Sequence, residues 1–173
     1  MLALLSRVAM PGAAHAADAV ASAEPGPFDG ATVRRLAQAM AKHAYQAPDS
    51  KLPGAIDQMS FDQYRSVRFK KDSALWHGQG LNFQVEFLPR GFLYRPRIDI
   101  FEVQNGQAAR VGYNPDLFSY DDEKLRVTDD LGFAGFRIHY PINRPDYYDE
   151  ICVFLGASYF RACLLYTSPS PRD

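Results

Sequence analysis

DDLGFAGFRIHYPINRPDYYDEICVFLGASYFR, residues 129–161, is the stretch from which the fold can be read. Two apolar runs, 133–140 and 151–160, flank a polar connection. In the first run Gly135, Arg137 and His139 alternate with Phe136, Ile138 and Tyr140. That period of two marks a half-buried strand. The second run, ICVFLGASYF, is apolar on both faces as far as Leu155, as expected of a strand covered on both sides. Between them Pro141, Asn143, Pro145 and Asp146 supply turn chemistry, and the proline after Arg144 favours an extended backbone there. Two strands with a proline-marked connection thus form the spine of a β-rich fold.

Working outward, residues 81–87 (LNFQVEF) are the clearest further strand, with Leu81, Phe83, Val85 and Phe87 on one side. Residues 98–103 (IDIFEV) read as another, with a parity change between Ile100 and Phe101 that suggests a bulge or cover on both faces. Asn105-Gly106 is a strong hairpin signal, with a return strand expected over 109–113. Phe83, Val85, Phe87, Ile98, Ile100, Phe136, Ile138, Val153 and Leu155 are the expected buried face. One good helix is expected: Asp29 is a credible N-cap, Phe28 and Val33 occupy staple positions, and Val33, Leu36, Ala37, Met40, Ala41 and Ala44 keep helical spacing. Pro48 marks its stop, and residues 64–69 form a short possible strand. This succession argues for an antiparallel β-sandwich.

Composition bounds the chemistry. Charges nearly cancel at a formal −1, so there is no electrostatic footprint for nucleic acid. The ten tyrosines and twelve phenylalanines suit a sheet core first and a sugar-binding surface second. Residues 1–16, ending Ala14-His15-Ala16, read as an export signal cut before Ala17, although Arg7 interrupts the apolar run and no basic segment precedes it. Residues 17–27 read as a small-residue linker, and no later run reaches the ~18 apolar residues of a membrane span.

The motif L-G-F-A-G-F-R-x-x-Y-P-I-N from Leu131 to Asn143, followed by D-E-I and by L-G-A-S-Y-F-R from Leu155 to Arg161, resembles the periplasmic glucan biosynthesis family, the osmoregulated periplasmic glucan proteins G and D. The likeness reaches back through Leu52-Pro53, Tyr64, Phe87 and Tyr113-Pro115-Asp116 and covers residues 28–162. It corresponds to roughly the first third of a family member. The resemblance implies the N-terminal part of a β-sandwich similar to galactose mutarotase, here mainly β, cut short and carrying one N-terminal α-helix. It implies work on β-1,2-linked glucan in the periplasm, as a glycoside hydrolase or transglycosylase or as a non-catalytic carbohydrate-binding scaffold. It also implies a β-glucan polysaccharide as ligand and contact with an inner-membrane glucan synthase. Residues 163–173, with their Ser-Pro-Ser-Pro run, leave the family pattern and read as a tail outside the fold.

Few residues announce chemistry. His43, His77 and His139 have no metal-ligand spacing, and no metal or other cofactor is expected. Cys152 and Cys163 are able to pair in an oxidising compartment, but a buried, unpaired Cys152 is the expected state. Glycoside cleavage needs two carboxyl groups, for which Asp99, Glu102, Asp149 and Glu150 are the nominal candidates. The resemblance places the family's catalytic acids downstream of Arg161, so no catalytic residue is assigned. Binding residues are expected at Tyr159 and Arg161, which alternation puts on one face away from Phe160. Tyr140 and Asn143 extend that surface if their strand is adjacent, and loop residue Trp76 is a further stacking candidate. The competing role for Arg161 is an ion pair with a carboxylate such as Asp149 that closes the sheet edge.

Overall fold

The computed structural model describes residues 26–48, 50–156 and 158–162. The expected export signal, most of the linker and the tail 163–173 lie outside those residues. The fold is mainly β and antiparallel, and it divides into two compact units that exchange the chain between Tyr45 and Gln46, between Ile100 and Phe101, and between Arg110 and Val111. The parity change at Ile100/Phe101 is that crossing. Ile100 packs against the core of the larger unit, whereas Phe101 begins a strand of the smaller one.

The smaller unit holds β1 (Gly26–Pro27), α1 (Gly30–Met40), β4 (Phe101–Gln104) and β5 (Gln107–Arg110), with its sheet in the order β1-β5-β4. Asp29 caps α1 as expected, accepting the Thr32 backbone N–H at 2.7 Å. The helix stops at Met40, short of Ala44, where Lys42 and His43 close the last turn on carbonyls three residues back. No side chain of α1 is buried. The β4–β5 turn sets Asn105 at φ 51° and Gly106 at φ 73°. Two successive left-handed residues are what a two-residue hairpin of right-twisted strands requires.

The larger unit holds α2 (Gly54–Asp57), α3 (Phe61–Ser66), β2 (Arg68–Phe69), β3 (Gln84–Pro89), β6 (Phe118–Ser119), β7 (Phe133–Arg144), β8 (Tyr147–Leu155) and β9 (Tyr159–Ala162). The two short helices add to the single helix expected from sequence. The first half of residues 64–69 is helical, because Ser60 and Gln63 form a reciprocal capping box that starts α3; Arg68–Phe69 form a strand. Strands β3-β7-β8-β9 form one antiparallel sheet and β2-β6 a small second one. Phe69 meets its cross-strand partner Phe118 edge to face at 5.4 Å and Phe87 of the larger sheet edge to face at 5.6 Å, so the two sheets pack through aromatic rings. Phe118, Phe133 and Leu125 are the most completely enclosed side chains. Each contributes roughly 2–3 kcal/mol of burial.

Register decides which side chains share a face. Val85 stands opposite Ile138, Phe87 opposite Phe136, Phe136 opposite Phe154, and Phe154 opposite Phe160; this face carries the core. The other face carries Glu86, Leu88, Arg137, Val153, Leu155, Tyr159 and Arg161. The expected buried face therefore splits. Val153 and Leu155 lie on the side away from Phe136 and Ile138, and the reason is visible in the register of β7 with β8. Phe83 is 45% exposed and Leu81 48%, because β3 begins only at Gln84 and the residues before it bend away.

Two expectations about the 129–161 stretch change. Strand β7 continues through Pro141 to Arg144, leaving only Pro145-Asp146 as the turn. Pro141 is tolerated because β3 ends opposite His139, so the missing N–H leaves no ladder bond unmade on that side. The run 151–160 is not one strand. It breaks at Gly156, whose φ of 61° turns the chain and whose N–H donates to the Ala134 carbonyl at 2.8 Å. Beyond it β9 folds back on β8, with Tyr159 opposite Leu155.

Candidate functional site

A groove of about 740 Å³ runs over the sheet face opposite the core. Its floor is Leu88, Ala134, Val153 and Leu155; one wall is Tyr159 and Arg161 on β9, the other Leu93, Tyr94 and Pro96. Tyr64 of α3 also lines it, with its ring 5.1 Å from that of Tyr94. Tyr64 donates to the Pro89 carbonyl at 3.2 Å. Burial, and after it the neighbouring Tyr94, hold its hydroxyl well above the ordinary tyrosine range. It stays a neutral donor at any physiological pH.

The Leu93 wall is rigidly built. Gly91 and Tyr94 exchange both backbone hydrogen bonds, 3.1 and 2.8 Å, around Phe92, which takes a left-handed φ of 51°. Gly91 takes φ 148°, a conformation that favours glycine, and a β-carbon there would lie 2.2 Å from the Met59 sulfur, so Met59 would have to move aside. Arg90 is buried below the turn and donates to the carbonyls of Arg95 (2.7 Å), Leu131 (2.9 Å) and Lys51 (3.2 Å). Arg95 pairs with Asp57. The turn thereby presents Leu93, 72% exposed, at the lip of the groove. Sequence reading missed this wall because Arg-Gly-Phe-Leu-Tyr has no periodicity; its Pro-Arg-Gly opening marked only a turn.

The polar part of the groove is Arg137, Glu150 and Arg161 on three adjacent strands. Arg137 Nη1 lies 3.4 Å from Glu150 Oε2, and Arg161 Nη2 donates to Glu150 Oε1. Arg161 thus does take a carboxylate partner, Glu150 rather than Asp149. Asp149 instead accepts the Asn143 backbone N–H and side-chain amide at 3.3 and 3.1 Å.

Of the five residues read from sequence as binding candidates, the structure brings together Tyr159 and Arg161. Tyr140 points to the core-side face, where its ring lies 5.0 Å from Phe83. Asn143 sits by the hairpin end, and Trp76 packs against the core cluster with a left-handed φ of 69°. Neither they nor Tyr140 line the groove. Among the nominal carboxylates only Glu150 does so. Asp99 lies by Arg97 at 3.4 Å, and Glu102 accepts from Gln104 in the smaller unit. His139 is buried, with Nε2 3.6 Å from Glu86 Oε2 and Nδ1 3.3 Å from the Tyr148 carbonyl oxygen. Cys152 is a half-buried free cysteine; Cys163 lies outside the described residues.

Fold and groove together define a mainly β protein with an open, tyrosine- and arginine-walled trough on one side of an antiparallel sheet. Residues 28–165 match the family described as "Periplasmic glucan biosynthesis protein, MdoG". The chain belongs to that family. It is 48% identical over 163 residues to "Glucans biosynthesis protein G" of Rhodopseudomonas palustris strain BisA53, covering 94% of the chain and 32% of the relative. Over 135 residues it is 53% identical to the protein of the same name from Bradyrhizobium diazoefficiens, covering 78% of the chain and 27% of the relative. Over 142 residues it is 44% identical to that of Vibrio cholerae O395, covering 81% and 26%. The chain thus spans about a third or less of the length of these relatives.

Proposed function

We propose that the groove on the β7-β8-β9 face binds a β-1,2-linked glucan chain during periplasmic glucan biosynthesis. The observation that carries this reading is the pairing of Tyr159, 51% exposed, with Arg161 along one wall of an open trough. A tyrosine ring packs on the C–H faces of a sugar, and a guanidinium fork donates to hydroxyl oxygens. An open trough suits a polymer, which must extend past the site at both ends. Tyr94 and Leu93 supply apolar contact from the opposite wall.

Binding is favoured over cleavage for this part of the polypeptide. Hydrolysis or transglycosylation requires a carboxyl pair across the scissile bond. Among the described groove-lining residues Glu150 is the one carboxylate, and two arginines occupy it. The glycoside hydrolase or transglycosylase activity implied by the resemblance then belongs to a longer protein of this family, with acids outside these residues. Contact with an inner-membrane glucan synthase is part of the same proposal. No helix among the described residues is long and apolar enough to cross a membrane. Export to the periplasm through the 1–16 signal is proposed as well, and N-terminal sequencing of the secreted product should begin near Ala17; recovery of Met1 rules that signal out.

Titration calorimetry with a β-1,2-gluco-oligosaccharide tests the binding reading. Tyr159→Ala and Arg161→Ala should each weaken binding about 10-fold, the worth of one good aromatic or charge-assisted contact. Both side chains are largely exposed, so melting temperatures should stay nearly constant. Loss of stability with unchanged binding would mean that the pair is structural.

A further inference from the structure

We infer that Glu150 is a positioning residue, which fixes the guanidinium groups of Arg137 and Arg161 for a saccharide in the groove; the inference rests on the glucan-binding reading above. The backbone supplies the first argument. Ile138 stands opposite Cys152, and the next pair is His139 with Glu150, so Ile151 is an extra residue on β8. By plain alternation Glu150 would share the core-side face with Cys152 and Phe154. The bulge turns it instead onto the groove face with Arg137 and Val153. Bulges interrupt a ladder and are used to re-aim one side chain.

The side chains supply the second argument. Arg137 and Arg161 both stand beside Val153, on the strands to either side of β8. Glu150 reaches each with a different oxygen, so one carboxylate ties three strands together across the groove floor. Its side chain is only 26% exposed, whereas that of Arg161 is 65% exposed. A long exposed arginine samples many rotamers, and ordering it on a ligand costs affinity. Holding the Nη2 end on a half-buried carboxylate removes that freedom before the sugar arrives. It also sets the plane in which the guanidinium fork donates. Glu150 acts through the arginines and needs no contact with sugar.

A double-mutant cycle on oligosaccharide binding tests this, with Glu150→Gln, Arg161→Ala, the pair, and Tyr159→Ala as reference, each also melted thermally. Gln keeps the shape but offers one acceptor oxygen where the carboxylate offers two. We expect about 5-fold weaker binding for E150Q, about 10-fold for R161A, and for the pair a loss well short of their product, since coupled residues are not additive and only the Arg137 arm is left for E150Q to remove. Glu150→Asp should recover part of the E150Q loss. Wild-type affinity for E150Q, or losses that multiply in the pair, overturns the inference while leaving the groove reading in place. A lowered melting temperature with unchanged affinity makes Glu150 a strand clamp only and likewise overturns it. If oligosaccharide binds but neither Y159A nor R161A weakens it, the groove reading itself fails and this inference with it.

Discussion

The carbonyl oxygen of Phe154 lies 2.1 Å from where a β-carbon on Gly135 would stand. Gly135 pairs with Leu155, and the obstacle is strand backbone, which has no flexible end to move aside. Gly135→Ala must therefore pry β7 from β8 next to the groove. A loss of about 3 kcal/mol or more in urea unfolding is expected. Gly112→Ala, with nothing within 4 Å of its would-be β-carbon, is the matched control and should change stability by less than about 1 kcal/mol. Equal effects of the two substitutions would contradict the close approach.

Arg90→Met should destabilise by about 2 kcal/mol, because it leaves the buried Leu131 carbonyl and the part-buried carbonyls of Arg95 and Lys51 without the donors that satisfied them. Lys51, Arg95 and Leu131 lie on separate loops, so their anchoring to one side chain would be lost together. The groove wall at Leu93 rests on that anchor. A fluorescence melt showing unchanged stability would mean that the guanidinium is dispensable to those loops.

Alkaline pH should unfold the larger unit through its tyrosines. Burial foremost, then Tyr94, raises the folded-state value of Tyr64; burial foremost, then the hydrogen bond with Tyr120, raises that of Tyr113. Tyr120 is raised too, chiefly by burial. A group that holds its proton more tightly when folded contributes stability fully below its unfolded value and loses it as pH rises. Stability should thus be flat up to the ordinary value of 10.0 and fall above it. Tyr113→Phe should soften that fall, as followed by unfolding at stepped pH alongside phenolate absorbance. A Tyr113→Phe profile identical to wild type would show that Tyr113 ionises freely in the folded chain.

Much of this architecture is legible in the sequence because local chemistry dictates it. Asp29 starts α1, Asn105-Gly106 turns β4 into β5, and the alternation 133–140 makes β7. What alternation cannot carry is a change of phase. The Ile151 bulge, the Gly156 turn and the start of β3 at Gln84 each reset which face a residue takes. Val153, Leu155 and Phe83 were displaced from their expected environments for that reason alone. Tyr159 and Arg161 came out on one face because both follow the last reset. The Leu93–Tyr94 wall depends on a buried arginine bridging distant loops, and no local pattern encodes that.

The core-side face of the large sheet is unevenly covered. Phe87 on β3 is 3% exposed, Phe136 and Phe154 on β7 and β8 are half-buried, and Phe160 on β9 is 70% exposed. The last three stack in a row, with ring centroids 4.9 and 6.2 Å apart. Phe160 would be the core residue of its strand by alternation, yet among the described residues its ring stacks on Phe154 alongside it and on no other ring. Phe87→Ala should cost about 3–5 kcal/mol, as for a fully enclosed phenylalanine. Phe160→Ala should cost less than about 1 kcal/mol, since little area leaves water when its ring stacks. Both are read from urea midpoints on dilute protein. A Phe160→Ala loss as large as that of Phe87→Ala would mean that β9 is covered in solution. Dependence of that loss on protein concentration would identify the cover as a second copy of the chain.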